Sequence, residues 1–167
     1  MLFVFRGKSG REVHVRLTDH RVARVVKRCE ELPGQMLFQY IDAEGERGTV
    51  TSDDVNQYLR EASSGNDFTA KDFRTWAATV LALNALREVV TFDSDSEAKQ
   101  NVVAAIYSVA RKLGHTRAVC RRSYVHPLVI DSYMKGSLEK VLNAEVRGAR
   151  RLKVDEVAVV ALLKRTR

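Results

Sequence analysis

The first residues that could do chemistry are a histidine and a tyrosine at the two ends of a short basic segment. His115 precedes Tyr124 by nine positions. A tyrosine hydroxyl can attack a phosphodiester, but its pKa near 10 means that it needs help at neutral pH. The attacked phosphorus gathers negative charge on its oxygens, and a histidine N–H is a suitable donor to that charge. The same pair is more often a packed histidine and a surface tyrosine, so alone it decides little.

An arginine lies early in a predicted helix. Thr69 is a good N-cap and Asp72 follows in the first turn, so a helix is predicted from residue 70 to about residue 89. The apolar pattern after Arg74 predicts that this helix is mostly buried, where an arginine requires a partner. One interpretation is a salt bridge to Asp72 or to another carboxylate. The other is a guanidinium held rigidly for bidentate contact with a phosphate.

A lysine lies at the tip of a predicted β-hairpin. Two alternating runs, residues 3–6 and 11–17, flank the tetrapeptide Gly7-Lys8-Ser9-Gly10. Lys8 would project from this tight turn, either as a solvated turn residue or toward whatever the hairpin faces.

The remaining elements are mostly helices. Further helices are predicted at residues 19–32, 52–62, 93–113, 116–124, 127–134, 137–146 and 154–163, with a strand at 36–41 that pairs briefly with 49–51. Gly114 would stop the helix before His115, and Thr116 would cap the next one. The fold class expected is α+β, mainly α, with a small N-terminal antiparallel sheet and a helical bulk. We expect one domain over residues 1–167, with a β-rich portion at 1–51 and a helical portion at 52–167.

The composition favours a globular protein with a polyanionic partner. The 167 residues are 45% hydrophobic, the net charge is +7 and the pI is near 9.6. The apolar stretch at residues 1–5 is too short for a signal or a membrane segment, so a cytoplasmic location is expected.

The two cysteines suggest neither a disulfide nor a metal site. Cys29 and Cys120 are far apart in helical patterns, which favours free thiols. Arg121 and Arg122 follow Cys120 and could lower the pKa of its thiol, although nothing else supports a catalytic cysteine. No cluster of histidines, cysteines and carboxylates has the spacing of metal ligands.

Several separated motifs together resemble the catalytic domain of type IB DNA topoisomerases, of the short bacterial and poxvirus-like kind. The resemblance runs from about residue 3 to residue 136, in matching order and spacing. Its motifs are Gly7-Lys8, Leu32-Pro33-Gly34-Gln35-Met36-Leu37-Phe38-Gln39-Tyr40, Asp54-Val55-Asn56, Tyr58-Leu59-Arg60, Phe68-Thr69-Ala70-Lys71-Asp72-Phe73-Arg74-Thr75-Trp76, Leu113-Gly114-His115-Thr116 and Tyr124-Val125-His126-Pro127.

The resemblance implies a role for each matched position. Tyr124 would be the nucleophile that forms a 3′-phosphotyrosyl bond and expels a 5′-hydroxyl. Arg74 and His115 would contact the phosphate under attack, and Lys8 would be the general acid to the departing oxygen. Lys71 would lie near the cleavage site. Cations offset the developing charge, so neither a metal nor a nucleotide cofactor is expected.

The basic cluster around the nucleophile would bind DNA. Arg117, Arg121 and Arg122 flank it in sequence, and beside His115 and Tyr124 the expected contact is with phosphates of duplex DNA. A solvated charged face is the alternative. The expected partner is double-stranded DNA at the nucleoid, bound by a monomer.

Two departures from the family pattern affect these expectations. Arg117 stands where the family usually has proline, at a helix start where arginine is tolerated. The family's second phosphate-binding arginine and its N-terminal clamp domain have no counterpart before Lys8. Loss of one preorganised donor typically slows a reaction by about 100- to 1000-fold. We therefore expect weak or no activity from this chain alone, and completion of the site by an N-terminal domain.

Two alternatives remain open. Tyrosine recombinases share the nucleophile chemistry and the His-to-Tyr spacing, but they generally have His-x-x-Arg-His where this chain has Lys71-Asp72-Phe73-Arg74-Thr75. The other alternative is a DNA-binding module without catalysis.

Overall fold

The computed structural model describes residues 1–7, 10, 12–139 and 151–164. The chain divides into two compact units, residues 1–69 and residues 70–167. Each unit is described by itself below. The expectation of one domain, β-rich over 1–51 and helical over 52–167, stays a prediction.

The first unit contains two small antiparallel sheets. Strands β1 (Leu2–Arg6) and β2 (Glu12–Arg16) form the predicted hairpin, with Phe3 opposite Val15 and Phe5 opposite Val13. Strands β3 (Gln39–Ile41) and β4 (Arg47–Thr49) form the second sheet. Within the described residues β3 is half as long as predicted, because only its last three residues find partners in the short strand β4.

Two capped helices complete the first unit. Helix α1 (His20–Glu30) begins after Asp19, whose Oδ1 accepts from the backbone N–H groups of Arg21 and Val22 at 2.8 and 3.3 Å. Helix α2 (Ser52–Ala62) begins with a capping box, in which Thr51 and Asp54 satisfy each other's backbone N–H groups.

The second unit is helical throughout its described residues. It contains α3 (Ala70–Arg87), α4 (Asp95–Leu113), α5 (Arg117–Ser123), α6 (Pro127–Met134) and α7 (Val154–Lys164). The helix predicted at residues 137–146 falls mostly outside the described residues. With two small sheets preceding these helices, the predicted α+β, mainly α, fold class is confirmed.

A continuous apolar core holds the second unit together. Leu83 and Leu86 of α3 pack with Val109 of α4 and Val129 of α6, all at 0–1% exposure. Tyr133 is also fully buried, and its hydroxyl donates to the Val89 carbonyl at 2.6 Å and accepts from Asn101 Nδ2 at 2.8 Å. Such a core fixes the helices that carry the conspicuous polar residues.

The expected burial of the start of α3 is wrong. Buried residues of α3 begin at Ala78, whereas Lys71 and Arg74 in its first turns are exposed. Apolar periodicity over residues 76–86 reports burial of that segment only, and the first turns extend beyond the core. Among the described residues, no helix is long and apolar enough to cross a membrane.

Candidate active site

Arg74, His115 and Tyr124 come together from three different elements. Arg74 Nη1 lies 3.2 Å from His115 Nε2, and the His115 and Tyr124 rings stack with their centroids 4.8 Å apart and their planes 21° from parallel. Arg74 and His115 are 41 positions apart in the chain, and His115 and Tyr124 are 9 positions apart. The contact between Arg74 and His115 therefore arises from packing of α3 against the rest of the unit.

The end of α4 sets the position of His115. Gly114 adopts the left-handed conformation, with φ of 69°, and its N–H donates to the Arg111 carbonyl at 3.3 Å. The His115 N–H donates to the Ala110 carbonyl at 2.9 Å. Both bonds satisfy carbonyls at the helix end, so His115 leaves the helix in a defined direction.

Helix α5 connects the histidine to the tyrosine. Thr116 caps it by accepting from the Val119 N–H at 3.3 Å, as predicted. Tyr124 is the C-cap residue, and its N–H donates to the Cys120 carbonyl at 3.1 Å. A helix of seven residues thus brings its two flanking aromatic side chains into contact.

Cys120 serves the packing of this short helix. Its side chain is fully buried, and burial raises the pKa of its thiol. The expectation that Arg121 and Arg122 could lower this pKa is wrong, because the thiol points into the core while both arginines are exposed. A raised pKa disfavours the thiolate and hence nucleophilic use of Cys120.

The contact with Arg74 determines how His115 is protonated. A guanidinium only donates, so His115 Nε2 is the acceptor and the imidazole is neutral, with its proton on Nδ1. Partial burial, and secondarily the charge of Arg74, lower the pKa of His115. The site therefore has one fixed cation, a neutral imidazole and a half-buried phenol.

Arg74 has no carboxylate partner in an ion pair among the described residues. The ion pairs found there involve Arg21, Arg60 and Arg87 with aspartates, and His14 with Glu12. The interpretation of Arg74 as half of a salt bridge, with Asp72 or with another carboxylate, finds no support among these ion pairs. Its exposed guanidinium is available to an anion from solution.

Comparison with known proteins identifies a family for this chain. A family model described as the catalytic core of eukaryotic DNA topoisomerase I matches residues 1–147. The chain belongs to this family. DNA topoisomerase 1B of Acanthamoeba polyphaga mimivirus is 35% identical over 136 residues, which cover 77% of this chain and 40% of the viral protein. The chain thus spans less than half the length of that relative.

Membership of the topoisomerase I family excludes the recombinase alternative for this chain. The recombinase pattern differs at the start of α3, where this chain reads Lys71-Asp72-Phe73-Arg74-Thr75. The shared His-to-Tyr spacing could not separate the two families, whereas the helix that carries Arg74 could.

The predicted DNA-binding cations of this topoisomerase-family chain fall into separate places. Lys71 lies one turn before Arg74 on the exposed start of α3, and residues three apart share a helix face. Arg117 lines an open groove of about 580 Å³ beside α4 with Lys99 and Tyr107. Arg121 and Arg122 line another hollow, of about 380 Å³, between α5 and α6.

The three predicted DNA-binding arginines of α5 form no ion pair among the described residues. In the portion of the chain that the structure describes, no carboxylate forms an ion pair with Arg117, Arg121 or Arg122. Lys8, the predicted general acid, lies outside the described residues.

Sequence analysis missed Thr79, which is buried on the core side of α3. Its hydroxyl contacts the backbone of residues 124 and 126 at the corner between α5 and α6. The available signal was a polar residue within the apolar stripe of a helix, because a buried hydroxyl requires partners. Within the described residues, no group of three or more potential metal-ligating side chains could hold an ion.

Proposed function

We propose that this chain is the catalytic part of a type IB DNA topoisomerase, which cleaves one strand of duplex DNA and reseals it, relaxing supercoils. The observation that carries the proposal is the contact of Arg74, His115 and Tyr124 within one unit of a chain that belongs to the topoisomerase I family.

Tyr124 is proposed as the nucleophile. Its Oη attacks the phosphorus of a phosphodiester, a P–O bond to the tyrosine forms, and the bond to the 5′-oxygen breaks. The product is a 3′-phosphotyrosyl link and a free 5′-hydroxyl. Religation reverses these steps, and no ATP is needed because the phosphotyrosyl ester retains the energy of the original ester.

Arg74 and His115 are proposed to bind the non-bridging oxygens of the same phosphate. The guanidinium is exposed and planar, which suits bidentate contact with two oxygens. The imidazole lies against the phenol ring and beside the guanidinium, so one phosphate could contact all three side chains. Fixed donors at this place stabilise the charge that develops in the transition state.

Lys8 and Lys71 are proposed as further participants. Lys8 would protonate the departing 5′-oxygen, a role that rests on the match of the Gly7-Lys8 motif alone. Lys71 shares its helix face with Arg74 and would contact DNA next to the cleaved phosphate. Arg117, Arg121 and Arg122 would contact backbone phosphates of duplex DNA. No metal or nucleotide enters this scheme, and the proposed location is the cytoplasm, at the nucleoid.

Covalent trapping tests the proposal directly. The 167-residue chain is incubated with a labelled duplex whose cleaved strand cannot be religated, without metal or ATP, and is then denatured and separated on a gel. We expect a shifted covalent band, weak in keeping with the low activity expected of this chain alone, that Tyr124→Phe abolishes while non-covalent binding persists. Arg74→Ala should slow formation of the covalent adduct by about 100- to 1000-fold.

A second tyrosine supplies the matched control. Tyr107 is exposed on α4, and Tyr107→Phe also removes one phenol hydroxyl. Because Tyr107 lines the same groove as Arg117, the comparison is made at saturating duplex, where its band should equal that of the unchanged chain. Duplex binding without any covalent band would contradict activity of this chain alone and favour the alternative of a DNA-binding module without catalysis.

A further inference from the structure

We propose that Thr79 is a positioning residue. Its buried hydroxyl fixes the position of the nucleophile Tyr124 relative to α3, the helix that carries Arg74. The proposal rests on the proposed function for its catalytic consequence. Its structural part concerns contacts on the core side of the site.

The backbone around Tyr124 is satisfied only in part by other backbone groups. Helix α5 ends at Ser123 and α6 begins at Pro127. In the corner between them, the N–H groups of Tyr124 and Val125 donate to the Cys120 carbonyl and the His126 carbonyl accepts from the Val129 N–H, each at 3.1 Å, whereas the Tyr124 carbonyl and the His126 N–H have no backbone partner among the described residues. Pro127 has no N–H to donate back into the corner. Among the described residues, Thr79 Oγ1 is the partner of both the Tyr124 carbonyl and the His126 N–H.

One hydroxyl serves three backbone groups. Thr79 Oγ1 accepts from the His126 N–H at 3.2 Å. Its single proton is shared between the Thr75 carbonyl at 2.8 Å and the Tyr124 carbonyl at 3.3 Å. Thr79 is 3% exposed, so water does not replace these bonds. The same oxygen therefore contacts the residue after Arg74 and the backbone of the nucleophile.

The other contacts of the corner explain why loss of the Thr79 hydroxyl would move Tyr124. His126 caps α6 by accepting from the Leu128 N–H through Nδ1 at 3.3 Å, and its backbone N–H donates to Thr79. Val125, between the two bonded residues, is buried in the core. Without the hydroxyl, a part-buried carbonyl and a part-buried N–H would lose their partner, and the corner would shift to recover one. Such a shift moves the Tyr124 ring relative to His115 and Arg74.

Thr79→Val tests the proposal in the full 167-residue chain, because valine keeps the shape of threonine and lacks the hydroxyl. We expect single-turnover formation of the covalent adduct to slow about 100-fold, as for a reacting group displaced by roughly 1 Å. Duplex affinity, measured on a Tyr124→Phe background, should not change. Thr79→Ser restores the hydroxyl and should restore the rate. If Thr79→Val does not fold, Thr79→Ala replaces it in every arm.

Ser108→Ala is the matched control for loss of a helix hydroxyl. Ser108 Oγ donates within α4 to the Ala105 carbonyl at 2.8 Å. Among the described residues, it forms no hydrogen bond with the corner at residues 124–126. Its adduct rate should equal that of the unchanged chain. A folded Thr79→Val that reacts at the unchanged rate, or a Thr79→Ser that reacts as slowly as Thr79→Val, overturns the proposal.

A second readout does not depend on catalysis. The Tyr124 ring stacks on His115, so its ring current displaces the NMR signals of the His115 ring protons, and Tyr124→Leu gives their positions without it. Thr79→Val should move these signals toward the Tyr124→Leu positions, and Thr79→Ser should not. If the chain forms no adduct at all, its proposed activity as an isolated chain fails, while unmoved His115 signals in Thr79→Val overturn the positioning role.

Discussion

At the scale of single residues, His115 has opposite hydrogen-bonding roles in the free site and in the proposed reaction. In the free protein Nε2 accepts from Arg74 and carries no proton. To donate to a phosphate oxygen, the same nitrogen must be protonated and the guanidinium must turn to the anion. A phosphate that enters between the two side chains supplies both changes, because its charge attracts the guanidinium and stabilises a protonated imidazole.

The protonation of His115 should therefore depend on Arg74 and on bound phosphate. Burial comes first and the Arg74 charge second among the causes that lower its pKa, so its NMR titration midpoint should lie below the ordinary value of about 6.5. Arg74→Ala should raise the midpoint without restoring 6.5, since the burial persists. In the Tyr124→Phe variant, a bound duplex should raise the His115 midpoint above that of the free variant. Duplex binding should then strengthen as the pH falls from the midpoint of the bound form to that of the free form.

Arg87→Ala is the control for this titration. Arg87 lies on the same helix and pairs with Asp155 at 3.4 Å, so its removal should leave the His115 midpoint unchanged. A midpoint that Arg74→Ala does not raise would contradict the arginine-histidine contact.

At the scale of elements, the turn between α4 and α5 decides where the histidine points. The turn depends on a left-handed residue, since Gly114 has φ of 69° and an added Cβ would meet no atom within 4 Å. The constraint on this position is therefore conformational and does not come from a steric clash. A residue with a Cβ would be strained there by about 1–2 kcal/mol.

Gly114→Ala should reduce both stability and activity. The strain should lower the free energy of unfolding by about 1–2 kcal/mol, and relaxation of the turn should displace His115 and slow adduct formation. Gly136 follows Lys135, the C-cap of α6, with φ of 61° and is equally unobstructed, which makes Gly136→Ala the matched control. Denaturant unfolding should show similar losses in both variants, and single-turnover cleavage should be slower in Gly114→Ala. Equal cleavage rates would show that the turn does not position the histidine.

The same elements show which features can be predicted from sequence. Gly114 and Thr116 act through bonds to residues within five positions, so local patterns predicted both. Thr79 bonds the carbonyl of Tyr124, 45 positions away, and nothing local indicates such a partner. The exposure of Arg74 was missed for the same reason, because it depends on where the core ends. Local patterns and the family resemblance together indicated the reacting residues, and tertiary packing determined what supports them.

At the scale of the whole molecule, core and charge are both concentrated in the second unit. Val26 is the single buried apolar side chain among the described residues of the first unit, while the second has a continuous core. Residues 70–167 contain 18 lysines and arginines against 10 acidic residues, for a net charge of +8. Residues 1–69 contain 10 against 11, for a net charge of −1. The unit that holds Arg74, His115 and Tyr124 is therefore also the one suited to a polyanion.

Charge-neutralising substitutions in this unit should change how duplex binding responds to salt. Each phosphate contact contributes about −0.9 to the slope of log Kobs against log salt, because counterions are released from DNA. Arg121→Gln and Arg122→Gln should each make the slope shallower by about 1, and Arg117→Gln, on the separate groove, should do so independently.

Arg87→Gln removes an equal charge that is already paired with Asp155, so its slope should not change. Binding isotherms between 50 and 200 mM salt on the Tyr124→Phe background measure all four slopes. Equal reductions in all four would mean that duplex binding senses net charge alone, whereas reductions confined to the three α5 arginines would identify α5 as a surface that contacts the DNA backbone.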